Sequence, residues 1–265
     1  MDRAVKGSGR DGMMDRNAAS NKAILALCSV TVMSLGVDSG LIGVSDVPGA
    51  KIHEARAEHA VSRQLRLPSE DPDRWLLGFL DVETTGLMPG HHEMVDIGLV
   101  LTDLEGVEVA RFFRRIMPPN PERLSPEAAA MNGFSVERWG KLGAVSVGQA
   151  VKEIERFLRE TPKQRNVLLV AYNVAFDAAF IDHLFRQAGR DWREIEEVVS
   201  YHKLDLPSMA WSLGYRQLHG DIGSAVGVPP ETEDPLEHTG LTGAEFNVEL
   251  YRALLQRSLS RLRSP

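Results

Sequence analysis

The chain has 265 residues, of which 43% are hydrophobic and 25% are charged, and its formal net charge is −7. This length and composition predict one globular domain with additional material. The negative charge gives no indication of a wide basic platform for nucleic acid, although a strand end can be held locally through metal ions. Cys28 is the only cysteine, which excludes intramolecular disulfides and cysteine-rich zinc sites.

Residues 1–73 are predicted to form a largely disordered N-terminal extension. Residues 1–22 are rich in Gly, Ser, Asn and charge. The uncharged apolar segment 23–37 is short for a membrane span, which needs about 20 apolar residues. Its length suits a signal peptide, but the leader before it is long and no clear cleavage site follows. We therefore predict a cytoplasmic protein without stable membrane association, with a signal peptide or anchor as the alternative.

The main domain is placed at residues 74–265, after a linker rich in Pro and acidic residues. Apolar or alternating segments predict five strands, at 74–82, 93–103, 107–117, 166–173 and about 200–206. Helical patterns are found at 125–133, 146–160, 174–189, 207–213 and about 242–262, with Asn173 as the predicted cap of the third. Three meandering strands followed by alternating helices and strands indicate an α/β fold with a mixed sheet.

Two acids directly follow an apolar segment in "FLDVETTGL". Asp81 and Glu83 are two residues apart on a strand, so their side chains point to the same side. Neighbouring carboxylates resist ionisation unless a cation is present, and Mg²⁺ and Mn²⁺ prefer such hard oxygen ligands. Solvated acids at a strand edge are the alternative, but acids that end a buried strand lie where open sheets bind ligands. The turn that follows offers hydroxyl and N–H groups to an anion.

A third acid lies in "AYNVAFDAAF", after another predicted strand. Asn173 and Asp177 are i and i+4 on one helix face, and Phe176 lies on the adjoining face. An acid near a helix start also has a purely structural interpretation, since it complements the helix dipole. The preceding buried strand makes Asp177 a candidate for the same strand-end site. His238, just before the last predicted helix, could face that site as well.

These segments resemble the motifs of the DEDDh 3′–5′ exonuclease superfamily, over roughly residues 75–255. Residues 81–86 match its first motif, Asp-x-Glu-Thr-Thr-Gly, and residues 173–177 match its second, Asn-x-x-Phe-Asp. The third motif is a His followed five residues later by an Asp, and His238 matches its first half. The segment "AMNGFS" around Asn132 is similar to the family's connection between the third strand and the next helix. The resemblance implies a ribonuclease-H-like fold, a mixed five-stranded sheet with helices on both faces.

The chemistry implied by the resemblance is hydrolysis of phosphodiester bonds at the 3′ end of a nucleic acid, with two divalent cations, Mg²⁺ or Mn²⁺. Asp81, Glu83 and Asp177 would be the metal ligands, Glu83 would also contact the terminal 3′ hydroxyl, and His238 would be the general base. The implied partners are a single-stranded 3′ end, DNA favoured over RNA, and a DNA polymerase or another replication or repair protein. The implied substrate-binding residues are Thr84, Thr85, Gly86, Leu87, Asn132, Asn173 and Phe176.

Two positions depart from the family pattern. Tyr172 replaces a histidine that is not a metal ligand. Five residues after His238 stands Gly243 instead of the fourth motif acid, and glycine has no side chain to bind a metal. Glu245 would lie about 200° around the helix and face away. Asn247 shares the face of position 243, but its amide oxygen is a weak, neutral ligand.

Three functions are therefore open. The first is an active exonuclease with a weakened metal site, and the second is a non-catalytic module that binds nucleic-acid ends or a replication or repair partner. The third is a scaffold whose N-terminal segment carries the function. Retention of His238 favours activity, and the missing acid favours binding. If the missing acid limits the rate, Gly243→Asp is expected to raise activity.

Overall fold

The computed structural model describes residues 67–161, 165–217 and 221–263. Residues 1–66 of the predicted N-terminal extension, which include its apolar segment at 23–37, lie outside the described residues. Within the described ranges, no helix combines the length and apolar character needed to cross a membrane.

A mixed sheet of six strands in the order β4-β3-β2-β1-β5-β6 forms the centre of the fold. The strands are β1 (Trp75–Thr84), β2 (Met94–Thr102), β3 (Glu108–Met117), β4 (Val145–Ser146), β5 (Asn166–Ala171) and β6 (Val199–Asp205). β1, β2 and β3 form an antiparallel meander, and β5 runs parallel to both β1 and β6. The predicted α/β class with a mixed sheet is confirmed. The additional strand, β4, was not predicted because two residues directly before a helix carry no alternating pattern.

Helices cover both faces of this sheet. They are α1 (Pro126–Asn132), α2 (Val136–Lys141), α3 (Val147–Glu160), α4 (Val174–Gln187), α5 (Leu206–Ser212), α6 (Asp221–Val226) and α7 (Gly240–Arg263). In the part of the chain that the structure describes, 3₁₀ turns are found at Pro72–Arg74, Pro121–Arg123 and Trp192–Ile195. One apolar core lies between the sheet and α3 with α4, and a second lies between the sheet and α5, α6 and α7. The two cores hold the sheet between helices and so fix where its strand ends lie.

The start of α4 corrects one prediction. Asn173 adopts a left-handed conformation with φ 64° and ψ 53°, and its side chain makes no capping hydrogen bond. The carboxylate of Asp205, at the end of β6, instead accepts from the Val174 N–H at 3.3 Å. Asparagine tolerates the left-handed region better than most residues, so Asn173 makes the turn while a neighbouring strand supplies the cap.

Helix α7 packs on β1 and β2, and glycines allow a very close approach at its first turn. A Cβ atom on Gly98 of β2 would lie 2.1 Å from the carbonyl oxygen of Gly240. A Cβ on Gly240 would lie 2.6 Å from the carbonyl oxygen of Asp81. No side chain fits between these backbones, so the beginning of α7 is placed directly over the end of β1.

Candidate active site

Asp81 and Glu83 lie on one face of β1 near its C-terminal end. In the antiparallel register with β2, Asp81 is opposite Gly98 and Glu83 is opposite Asp96. The side chain of Glu83 is buried, and that of Asp81 is partly buried. The predicted pairing of the two acids at the end of a buried strand is therefore seen in the structure.

Asp177 joins these acids from the first turn of α4, because β5 runs parallel to β1 and ends beside it. Its side chain is 2% exposed. The N–H of Val82, which lies between the two acids of β1, hydrogen-bonds to the Asp177 carboxylate. The second motif thus brings its acid to the backbone of the first.

His238 contacts this group of acids from the segment before α7. Its Nε2 is 3.0 Å from Oε1 of Glu83, and its Nδ1 is 3.1 Å from the carbonyl oxygen of Thr232. A carbonyl oxygen only accepts, so Nδ1 carries a proton. Nε2 is therefore the nitrogen that exchanges a proton with the site, and the predicted proximity of His238 to the acids is seen.

Residue 243 is where the structure changes the sequence interpretation most. A Cβ on Gly243 would lie 2.3 Å from Oδ2 and 2.5 Å from Cγ of Asp81. The carboxylate of Asp81 therefore occupies the space that any side chain at position 243 would need. At position 243 the helix backbone is the surface against which the Asp81 carboxylate packs.

The other residues weighed as substitutes for the fourth acid have roles of their own. Glu245 faces away, as predicted, and pairs with Arg111 at 2.5 Å. Asn247 is buried at 1% exposure, and its Nδ2 donates to the carbonyl oxygen of Leu80 at 3.0 Å. Asn247 therefore joins α7 to β1 directly below the site.

Sequence reasoning missed two further acids, Asp96 and Glu231. Asp96 on β2 is fully buried, and its Oδ1 accepts from the Gly240 N–H at 2.8 Å. Glu231 precedes α7, and its Oε2 is 4.0 Å from Nδ1 of His238. An acid within a strand that is buried along its whole length was a detectable signal for Asp96. No pattern marked Glu231, because a loop position shows no periodicity.

The electrostatics of the site are those of crowded, buried acids. Burial, together with the charges of Asp177, Glu83, Glu231 and Asp96, raises the pKa of Asp81 well above its ordinary value. Burial also raises the pKa of Asp177 to about 8 and that of Asp96 to about 7. Such shifts show that the site resists its own negative charge and would be stabilised by a cation.

The pKa of His238 moves in the opposite direction from that of a buried histidine. The hydrogen bond to Glu83 raises it to about 9, against the effect of burial. In this arrangement the imidazole is a cation that neutralises Glu83. His238 can act as a base only when its contact to Glu83 opens, because a protonated imidazole accepts no proton.

The predicted substrate-binding residues of the β1–β2 loop fall into two groups. The side chain of Leu87, four residues after Glu83 in the sequence, is 79% exposed. Thr84 and Thr85 are buried, and their hydroxyls bond within the loop, to the Gly86 carbonyl and the Glu93 N–H. His92 lies against Gly86, where a Cβ would be 2.5 Å from its Nε2. Among the predicted substrate residues of this loop, only Leu87 presents its side chain to solvent. The threonine hydroxyls, expected to meet an anion, instead bond within the loop.

The remaining predicted substrate residues lie on α1 and α4. Asn132 is 1% exposed; its Nδ2 donates to the Thr84 carbonyl oxygen at 3.0 Å and its Oδ1 accepts from the Phe134 N–H at 3.0 Å. Asn173 is exposed at the start of α4. Phe176 is partly buried and packs on the core, with its ring 4.8 Å from that of Phe180. Asn132 thus braces the loop of the first motif, and the substrate contacts of all three stay predictions.

The strand-end acids, the histidine and the sheet order define an exonuclease of the ribonuclease-H-like fold, and comparison with known proteins identifies the family. A family model described as exonuclease, RNase T, matches residues 79–216, more than half of the chain. The chain belongs to this exonuclease family, whose members are nuclease hydrolases that use divalent metal ions. The match ends before His238, so the third motif rests on the geometry described above.

Two individual comparisons agree with this assignment. The 3′-5′ DNA exonuclease Cap18 of Escherichia coli is 26% identical over 184 residues, which cover 69% of this chain and 92% of Cap18. An exonuclease I structure aligns with 14% identity and a TM-score of 0.57, covering 70% of this chain and 41% of that one. The complex of E. coli exonuclease I with a dT13 oligonucleotide gives 13% identity and a TM-score of 0.55, covering 71% and 42%. The chain thus spans about two fifths of the exonuclease I chains, whose likeness shows the fold.

The acids fit a divalent cation by their chemistry. Asp81, Glu83 and Asp177 supply hard oxygen ligands, and within the described ranges no Lys or Arg forms an ion pair with any of them. In the arrangement seen, no three His, Cys, Asp or Glu side chains of those ranges are gathered tightly enough to hold an ion. Glu83 is turned towards His238 and Asp81 packs on Gly243. Release of Glu83 from His238 would make its carboxylate available to an ion.

Metal binding is expected to stabilise the protein more at pH 8 than at pH 6. The pKa of Asp177 is about 8 in the folded protein against an ordinary value of 3.8. A raised folded-state pKa stabilises the metal-free fold at low pH, and this contribution is lost as the pH rises through 8. Mn²⁺ competes with that proton, so the gain in Tm with 5 mM Mn²⁺ should be a few degrees at about pH 8 and smaller at about pH 6.

Thermal unfolding with and without the ion at both pH values measures this difference. Asp177→Asn is the matched variant, since it removes one titrating ligand with little change of shape and should make the gain smaller and less dependent on pH. An equal gain at both pH values in the unsubstituted protein would show that the ion binds elsewhere.

Proposed function

We propose that the protein is a metal-dependent 3′–5′ exonuclease that hydrolyses phosphodiester bonds at the 3′ end of a nucleic acid, DNA in preference to RNA. The observation that carries the proposal is the convergence of Asp81, Glu83, Asp177 and His238 at the ends of β1 and β5 in a chain of the exonuclease family. Cap18, which this chain matches over 92% of its length, supports both the direction and the preference for DNA.

Each residue has a distinct part in the proposed reaction. Two divalent cations, Mg²⁺ or Mn²⁺, held by Asp81, Glu83 and Asp177 would supply an activated water and neutralise the charge on the phosphate. His238 takes up the proton of the attacking water at Nε2, because Nδ1 is occupied by the Thr232 carbonyl oxygen. Glu83 holds Nε2 in the resting arrangement and frees it when its carboxylate turns away.

The substrate is proposed to be a single strand whose 3′ end reaches the acids past Leu87, an exposed residue of the β1–β2 loop. E. coli exonuclease I, which shares the fold, binds a dT13 oligonucleotide. With a net charge of −7, this chain has no general attraction for phosphates, so we infer that contact is confined to the strand end. A polymerase or another replication or repair protein stays a predicted partner.

A second candidate function is a module that binds strand ends without cleaving them. The observation that favours it is the absence of a carboxylate at position 243, where the Asp81 side chain fills the space. Such a module would retain affinity for a 3′ end but would release no nucleotide.

Incubation of a 5′-labelled single-stranded DNA with the protein and Mg²⁺ or Mn²⁺ separates the two functions. A 3′–5′ exonuclease produces a ladder of progressively shorter labelled strands, and EDTA stops it. The same strand labelled at its 3′ end should release labelled mononucleotide first. Gel-shift binding of the strand without shortening in either metal would contradict the exonuclease proposal and support the binding module. An RNA strand of the same sequence measures the preference for DNA.

A further inference from the structure

Asp96 lies next to the site without being one of the family's motif acids. It is opposite Glu83 in the β1–β2 register, and its side chain is 0% exposed. Oδ1 accepts from the Gly240 N–H at 2.8 Å, while Oδ2 has no hydrogen-bond partner among the described residues. Burying a carboxylate costs folding free energy unless hydrogen bonds or a charged partner compensate for the loss of water.

The donor of this bond, the Gly240 N–H, lies at the first turn of α7, two residues after His238. A helix start leaves N–H groups that the helix itself cannot satisfy. The hydroxyl of Thr239 accepts from the Thr242 N–H at 3.3 Å, and the hydroxyl of Thr242 accepts from the Thr239 N–H at 3.0 Å. Asp96 satisfies the Gly240 N–H from outside the helix, and its negative charge also complements the helix dipole. The local cap sets the shape of the turn, whereas Asp96 fixes the turn to the sheet.

A second hydrogen bond fixes α7 one turn beyond Gly243. The side chain of Asn247 donates to the carbonyl oxygen of Leu80 on β1 at 3.0 Å. The two bonds, Asp96 to Gly240 and Asn247 to Leu80, lie on either side of Gly243. The helix is therefore held at two points while the carboxylate of Asp81 packs between them.

We propose that Asp96 is a positioning residue that fixes the first turn of α7 to β2 and thereby holds His238 against Glu83. This inference rests on the proposed function, in which His238 accepts the proton of the attacking water. Asp96 acts through its hydrogen bond to Gly240 and does not touch the substrate. Because a small misplacement of a catalytic group can cost a large factor in rate, loss of the bond should lower kcat rather than raise KM.

Two substitutions distinguish the role of Asp96 as a hydrogen-bond acceptor from the role of its negative charge. Asp96→Asn retains an oxygen that can accept from Gly240, so its kcat should stay close to that of the unsubstituted protein. Asp96→Ala removes the acceptor, and its kcat should fall by about 10- to 100-fold with KM little changed. Asp103→Ala is the matched control, since Asp103 accepts from the Glu105 and Val107 N–H groups at the far end of β2. It should lose stability but little kcat.

A second measurement needs no activity. Amide hydrogen exchange of residues 239–243 in the metal-free protein should be faster in Asp96→Ala and unchanged in Asp96→Asn and Asp103→Ala. The Nε2–H proton resonance of His238, protected by Glu83, should weaken only in Asp96→Ala. If the unsubstituted protein cleaves no strand, the proposed function is wrong. Amide hydrogen exchange of residues 239–243 still tests whether Asp96 holds the first turn of α7. If the alanine variant does not fold, Asp96→Ser, whose shorter side chain also loses the bond, takes its place.

Two results would overturn the inference. Unchanged exchange and an unchanged Nε2–H signal in Asp96→Ala would show that the bond does not hold the turn. Equal loss of kcat in Asp96→Asn and Asp96→Ala, with a matching loss of Mn²⁺ affinity by calorimetry, would show that the charge of Asp96 binds an ion.

Discussion

Replacing Asp81 by asparagine should lower exonuclease activity by about a thousandfold or more, while the metal-free protein keeps its thermal stability or gains a little. The expected loss reflects removal of a charge at the centre of a metal-dependent phosphoryl site. The stability follows from burial and the four neighbouring acids, which raise the pKa of Asp81 and make its charge unfavourable without an ion. Asparagine has nearly the same shape, so packing against Gly243 is preserved.

Three measurements on this variant test the expectation: kcat on a 5′-labelled strand, Tm without metal, and the gain in Tm on adding Mn²⁺. The gain should vanish together with the activity. Glu245→Gln is the matched control, because it removes an acid of α7 that pairs with Arg111 on the surface and faces away from the site. Activity of Asp81→Asn within tenfold of that of the control would exclude Asp81 as a metal ligand.

Much of this site could be predicted from the sequence because its parts are local. The apolar strand before Asp81, the two-residue spacing to Glu83 and the helix carrying Asp177 each leave a periodic pattern that sequence shows directly. The parallel neighbours β1 and β5 then bring these acids to one sheet end. The position of His238 before the last helix suggested that it could face the site, but only the family resemblance gave it a role as a base, since a single histidine carries no pattern of its own.

The features that sequence could not supply depend on distances across the fold. Asp96 and Glu231 contribute to the site because β2 pairs with β1 and because the loop before α7 folds back over His238. The hydroxyls of Thr84 and Thr85 were expected to face an anion, yet the loop uses them internally. The cap of α4 comes from Asp205, which is 31 positions along the chain from Val174. None of these pairings leaves a trace in a short stretch of sequence.

Gly243 shows how the two kinds of information combine. Sequence marks it as the place of a missing acid, and the structure shows that the Asp81 carboxylate lies where a side chain at position 243 would begin. The close approach also involves Gly98 and Gly240, whose backbones are in contact. The three glycines, Asp96 and Asn247 form one packing arrangement. The position without the fourth acid thus lies within a closely packed helix–sheet contact, and the carboxylate of Asp81 fills the space beside it.

Gly243→Asp is therefore expected to lower activity, by about 100-fold, instead of raising it as the family motif alone suggests. The new Cβ would lie 2.3 Å from Oδ2 of Asp81, so either the carboxylate or the helix must move. A displacement of about 1 Å at a catalytic group is enough for a loss of this size. Gly243→Ala should show most of the same loss, because the clash is made by the Cβ atom and not by the added charge. Single-turnover cleavage of a 5′-labelled strand measures both variants.

Gly148→Ala is the matched control, because it makes the same substitution in helix α3 at a glycine with nothing within 4 Å of the added Cβ. It should leave activity unchanged and raise stability by about 0.5–1 kcal/mol, since alanine favours a helix more than glycine does. Higher activity of Gly243→Asp than of Gly243→Ala would show that an acid at 243 can still act as a ligand. Activity of Gly243→Asp above that of the unsubstituted protein would show that Asp81 has room to move and that the missing acid limits the rate. Equal losses in the two Gly243 variants would instead identify the helix backbone at 243 as the surface that sets the position of Asp81.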